Sequence, residues 1–149
     1  MNSTVYKSSS GNVIRKVNSC KDLGVYFDQD GSFSTHIAGK ISKSKKLSGY
    51  ILRTFMTRSA SLLMQLFKAI VLPIMEYGSV IWHPSKLMDI RAIESIQRNF
   101  TAKIFGLDDM NYWERLKFLK IYSLERRWER HIIIFTFKIL YGRRFCTCP

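Results

Sequence analysis

The middle of this chain limits its fold more than any other part. Residues 59–84 carry only Lys68 and Glu76 as charges, while residues 33–58 hold Lys40, Lys43, Lys45, Lys46, Arg53 and Arg58 with no acid. Residues 121–149 are basic again: Arg126, Arg127, Arg130, Lys138, Arg143 and Arg144 stand against Glu125 and Glu129. A nearly neutral apolar stretch between two basic ones suits a buried helix carried between two solvent-facing helices. The stretch Leu62 to Trp82 is interrupted by Lys68, Pro73, Glu76 and Gly78. It therefore lacks the run of about twenty apolar residues that a membrane span requires, and no membrane partner is expected.

Helical periodicity governs the chain from Ser34 onward. Ile37, Ile41, Ser44, Ser48, Ile51 and Phe55 recur at steps of three or four, which places them on one helix face. The two serines on that face are small enough to let another helix approach. Lys43, Lys46, Tyr50 and Arg53 fall on the opposite side. Ser59 can cap a second helix, apolar almost all round from Leu62 to Leu72, which Pro73 must kink or end because it has no amide donor. Gly78 and Pro84 bracket an irregular segment around Trp82. Ser85 can open another helix with Ile90, Ile93, Ile96, Phe100 and Ile104 inward, stopping at Gly106. Asn111 and Glu114 have capping-box spacing, predicting a short helix to about Lys120. A last helix starts near Ser123, with Leu124, Trp128, His131, Phe135 and Ile139 on one side and Arg126, Arg127 and Arg130 on another.

The first thirty residues read differently. Residues 1–12 form a polar, flexible leader unlike a secretory signal. Val13–Val17 and Leu23–Phe27 are β-prone runs, followed by a turn at Asp28-Gln29-Asp30-Gly31. The expected fold is mainly α, about five helices preceded by a short β-hairpin. With 46 % hydrophobic residues in 149, one compact domain can bury a core. The net charge of +13 points to a polyanionic partner. Three cysteines, Cys20, Cys146 and Cys148, make no disulfide framework, and they fit an intracellular protein, cytoplasmic or nuclear and not secreted.

Candidate chemistry is sparse. Gly106-Leu107-Asp108-Asp109 mimics the paired aspartates of polymerases, but its place between two predicted helices makes it a loop. Asp22, Asp28 and Asp30 lack the acid run and terminal Glu of a calcium loop and read as turn carboxylates. Cys146 and Cys148 have no second ligand pair nearby, and no histidine has a partner. Trp82, Trp113 and Trp128 read as core anchors. The sequence therefore yields no catalytic residue, no metal site and no cofactor. Lys40, Lys43, Lys46, Arg53, Arg126, Arg127 and Arg130 are the candidate phosphate contacts, against the alternative of solvated helix faces. Tyr50 can stack on a base or ribose, or pack on a neighbouring helix.

Several of these pieces occur together in one known order. Lys21-Asp22-Leu23-Gly24-Val25-Tyr26-Phe27-Asp28 is followed by Ser32-Phe33-Ser34 with His36-Ile37, then the basic helix. Leu72-Pro73-Ile74-Met75-Glu76-Tyr77-Gly78-Ser79-Val80-Ile81-Trp82 comes next, then Gln97-Arg98-Asn99-Phe100, Ser123-Leu124-Glu125-Arg126-Arg127 and Tyr141-Gly142. This series resembles the carboxy-terminal part of the reverse transcriptase of jockey-like, non-LTR retrotransposons. The resemblance implies that residues 13–32 are palm-edge strands, with Leu23-Gly24 at a primer grip. It further implies that 33–142 are a helical thumb that clamps RNA–DNA or RNA duplex without reading sequence. It places the catalytic aspartates, with their two divalent metal ions, upstream of residue 1, so this chain alone is no enzyme. The absent palm and fingers are then possible partners. Residues 143–149 depart from the family pattern. The alternative is a domesticated or relic helical module that holds a protein partner.

Overall fold

The computed structural model describes residues 6–14, 16–56 and 59–142. Two antiparallel strands, β1 (Ser19–Asp22) and β2 (Val25–Asp28), precede a mainly helical body. The body comprises α1 (Ser34–Thr54), α2 (Ala60–Leu66), α3 (Leu72–Glu76), α4 (Ser79–Trp82), α5 (Leu87–Thr101), α6 (Tyr112–Phe118) and α7 (Leu124–Gly142). A π-helical turn, Phe67–Val71, joins α2 to α3. No helix among the described residues is long and apolar enough to cross a membrane.

The strand registers shift from those expected. Val13, Ile14, Lys16 and Val17 belong to no strand; Val13 makes only an isolated bridge to Lys7, closing a small loop inside the expected leader. Arg15 and residues 1–5 lie outside the described residues. The hairpin pairs Ser19 with Asp28 and Asp22 with Val25. Leu23-Gly24, expected on a strand, is therefore its two-residue turn. Both residues have positive φ, 44° and 83°, as a turn matched to the right-handed strand twist requires. Hairpin closure, which the β-propensity of Leu23 does not report, decided this register.

The face predicted for α1 is the buried one: Ile37, Ser44, Ser48 and Ile51 are buried, with Ile41 and Phe55 packed at its edge. The helix opens without a cap from its own first residues. Instead Asp28, at the end of β2, accepts the Thr35 amide at 2.9 Å, which satisfies one orphan N-terminal donor from the hairpin.

The middle segment does not end at Pro73. It widens one turn earlier, where the Leu72 amide donates to the Phe67 carbonyl five residues back. The wider turn accommodates a ring that would otherwise clash with the preceding turn, so the helix runs on to Glu76. Nor is the segment buried all round. Leu63, Met64, Phe67, Val71, Leu72 and Met75 face in, whereas Gln65, Lys68, Ala69 and Ile70 are exposed. It packs on α1.

Trp82 and Trp128 are fully buried and meet edge to face, centroids 5.9 Å apart, where α4 packs on α7. Phe67 and Phe100 join the middle segment to α5 at 4.6 Å. Trp113 corrects the expectation of a third anchor: it is 60 % exposed. The Asn111–Glu114 capping box forms as predicted and fixes the phase of α6, so Tyr112, Arg115 and Leu116 point inward instead. Helix α5 begins at Leu87 and not at Ser85, with Ile93, Ile96 and Phe100 buried. On α7 only Leu124 and Trp128 are buried. Phe135 and Ile139, expected to follow them inward, are exposed because the helix runs past the body it packs against.

Candidate nucleic-acid interface

A groove of about 510 Å³ lies between the hairpin, α1 and α3, lined by Lys21, Gly24, Tyr26, His36, Lys40, Lys43 and Tyr77 among others. Residues far apart in the sequence meet here through a specific set of hydrogen bonds. The Tyr77 hydroxyl donates to the Leu23 carbonyl at 2.8 Å. The Tyr77 carbonyl accepts the Trp82 indole N–H at 2.7 Å. Gly78, at φ 68°, turns the chain from α3 into α4; a Cβ there would touch Val25 and Trp82 at 3.4–3.5 Å.

Lys40 is the predicted contact most altered by the fold. Its Nζ donates to the Ile74 carbonyl at 2.7 Å and the Tyr77 carbonyl at 3.4 Å, and it lies 5.1 Å from the Tyr77 ring centroid. It thus caps the C-terminal end of α3, where a cation meets the negative pole of the helix. Burial, then the Lys43 charge, pulls its pKa down to about 8. Lys40 is a structural cation at the groove floor and not a free arm.

The rest of the α1 set stays in solvent. Lys43, Lys46, Tyr50 and Arg53 are exposed at spacings of three, seven and ten from Lys43, one continuous stripe about 15 Å long. None of its cations has an acidic partner among the described residues. Lys21, which is not among the expected phosphate contacts, adds a cation from the hairpin, 5.2 Å from the Tyr26 ring centroid. Arg58 lies outside the described residues.

The α7 arginines separate. Arg127 turns inward to pair with Glu76. Arg126 and Arg130 remain exposed and line a shallow cavity with Tyr122, Glu129 and Ile133. Of the Leu23-Gly24 pair, Gly24 lines the groove, while Leu23 is tied to it only through the carbonyl that accepts from Tyr77, and its side chain is exposed.

The acidic groups have local roles. Asp30 accepts the Ser32 amide at 3.0 Å, and that bond holds its carboxyl below the usual range. Asp108 and Asp109 sit exposed in the turn between α5 and α6. No group of three or more metal-ligating side chains occurs among the described residues. Cys20 is exposed, and Cys146 and Cys148 lie outside the described residues.

A buried polar cluster escaped the sequence reading. Glu94 accepts from the Tyr112 hydroxyl and, at 2.9 Å, from the Leu124 amide at the start of α7. Gln97 donates to the Tyr112 hydroxyl at 3.2 Å and the Tyr122 carbonyl at 3.0 Å. Burial, then Glu94, pushes the Tyr112 phenol upward, so it stays protonated and donates. Together these bonds fasten α5, α6 and α7. The available signal was two polar residues, three apart, beside the apolar stripe of α5.

Compared with known proteins, the chain matches no family model, no curated protein and no solved structure.

Proposed function

We propose that this chain binds the backbone of nucleic-acid duplexes without reading sequence, as the thumb and palm edge of a non-LTR retrotransposon reverse transcriptase would, and that it performs no catalysis itself. The observation that carries this reading is the exposed Lys43–Lys46–Tyr50–Arg53 stripe, whose cations have no acidic partner among the described residues, beside the groove edged by Lys21. Phosphates need cations on a firm support and little else. The helix supplies the support, anchored by Ile37 and Ile51 on its other face. The order of motifs from Lys21 to Gly142 supports the family assignment. The two divalent metal ions would belong to the catalytic portion of such an enzyme, with its paired aspartates.

The test is the salt dependence of binding to an RNA–DNA duplex. Replacing Lys43, Lys46 and Arg53 together by Gln should flatten the plot of log affinity against log salt by about 0.9 per lost contact. An unchanged slope removes these residues from the interface. The uncovered outer half of α7 favours a second reading, a helical protein-interaction module; a chain that ignores duplex at low salt yet forms a stoichiometric complex with a protein would establish it.

A further inference from the structure

We infer that the outward face of α7 is a strip for single-stranded nucleic acid, with Arg126 and Arg130 on phosphates and Phe137 and Tyr141 stacking on unpaired bases. This rests on the nucleic-acid reading above and adds to it a second ligand class at a second place. Arg126, Arg130, Ile133, Phe137 and Tyr141 follow one another at steps of three or four and so share one helix face. That face is turned away from the buried Leu124 and Trp128. Phe137 is 59 % exposed and Tyr141 49 %, and their rings stack on each other, centroids 4.6 Å apart and 27° from parallel. Glu129 lies one position off the stripe beside Arg130. From Arg126 to Tyr141 the helix rises about 22 Å, room for roughly six nucleotides at the single-strand stacking distance.

The chemistry selects among occupants. Rings on a convex helix can engage a base only through its flat face, and in a duplex those faces are already stacked on one another. Unpaired bases offer them freely, and stacking on an aromatic tolerates any sequence. A second copy of this chain would bring two more arginines against Arg126 and Arg130 in a protein of net charge +13, a like-charge approach that costs energy. A polyanion with exposed ring faces satisfies both halves of the stripe.

The experiment compares the full chain with three variants by fluorescence anisotropy, on labelled oligo-dT and oligo-rU of about twelve nucleotides and on a duplex of the same length. Phe137→Leu with Tyr141→Leu keeps the surface apolar and removes the rings. It should weaken single-strand binding at least fivefold, the lower bound for one lost stack, and leave duplex binding within twofold. Phe137→Trp should retain single-strand affinity. Arg126→Gln with Arg130→Gln should weaken single-strand binding and flatten its salt slope. Equal losses on single strand and duplex, or no loss on either, overturn the strip. A Leu/Leu variant that changes only sedimentation or lipid-vesicle flotation also overturns it, by showing a second copy or a lipid surface as the occupant. Intact duplex binding with unaffected single-strand binding discards the strip alone; loss of both ligands by the unmodified chain discards the nucleic-acid reading itself.

Discussion

The hydroxyl of Tyr77 donates a hydrogen bond to the backbone carbonyl of Leu23 across 54 positions of sequence. With Lys40 gripping the carbonyls of Ile74 and Tyr77, it holds the hairpin, α1 and the end of α3 around one groove. Tyr77→Phe keeps the ring and removes only this bond. The bond is exposed, so the loss in stability should be about 0.5–1 kcal/mol, the low end for a neutral hydrogen bond. The clearer readout is amide hydrogen exchange in Val25–Asp28, which should quicken several-fold relative to α5. Unaltered exchange there would mean that the hairpin is held by other contacts.

Arg127 and Arg130 should behave oppositely, although they lie three positions apart on one helix and are alike in type. Arg127 is engaged by Glu76 in a partly buried pair, so Arg127→Gln should cost about 1–2 kcal/mol in denaturant unfolding. It should leave the salt slope of nucleic-acid binding alone. Arg130→Gln should leave stability within about 0.5 kcal/mol, as exposed substitutions do, and reduce binding. A double-mutant cycle with Glu76→Gln isolates the pair; no coupling there would refute the assignment of Arg127.

His36 is buried against Trp82, centroids 5.2 Å apart, and its Nδ1 accepts the Tyr26 amide at 3.4 Å. Burial first, then the charge of Lys40, lowers its pKa from 6.5 to about 4. Above pH 6.5 the ring is neutral in both folded and unfolded chains. Between 6.5 and about 4 the unfolded chain takes up the proton and the folded one does not, so stability falls as pH falls. Below about 4 both are protonated and this contribution levels off. The difference in denaturation midpoint between the natural chain and His36→Phe should therefore shift against the natural chain over that window. A difference that stays constant from pH 7 to 4 would show that His36 titrates normally.

Much of the scaffold was legible from local pattern. The 3.6-residue period placed Ile37, Ile51, Ile93, Ile96 and Phe100 inward because a helix presents one stripe whatever it packs against. The capping box at Asn111 was equally legible, since its hydrogen bonds close within four residues. Trp113 was misread because aromatic size indicates burial only when helical phase agrees. Phe135 and Ile139 were misread because apolar periodicity says which side a helix would bury, not whether a neighbour reaches it.

For the candidate interface the division follows the range of the interaction. Residue order alone puts Lys43, Lys46, Tyr50 and Arg53 on one helix face, makes the chain strongly basic, and obliges Pro73 to disturb its helix. All three follow from residue identity and fixed helix geometry. Long-range packing assigns Lys40 to the end of α3, Arg127 to Glu76, and the Leu23 carbonyl to Tyr77. Those pairings join groups 34, 51 and 54 positions apart. A charged or polar side chain stays available to a ligand only where packing brings no buried acceptor or counter-charge within reach, and that is a property of the assembled fold.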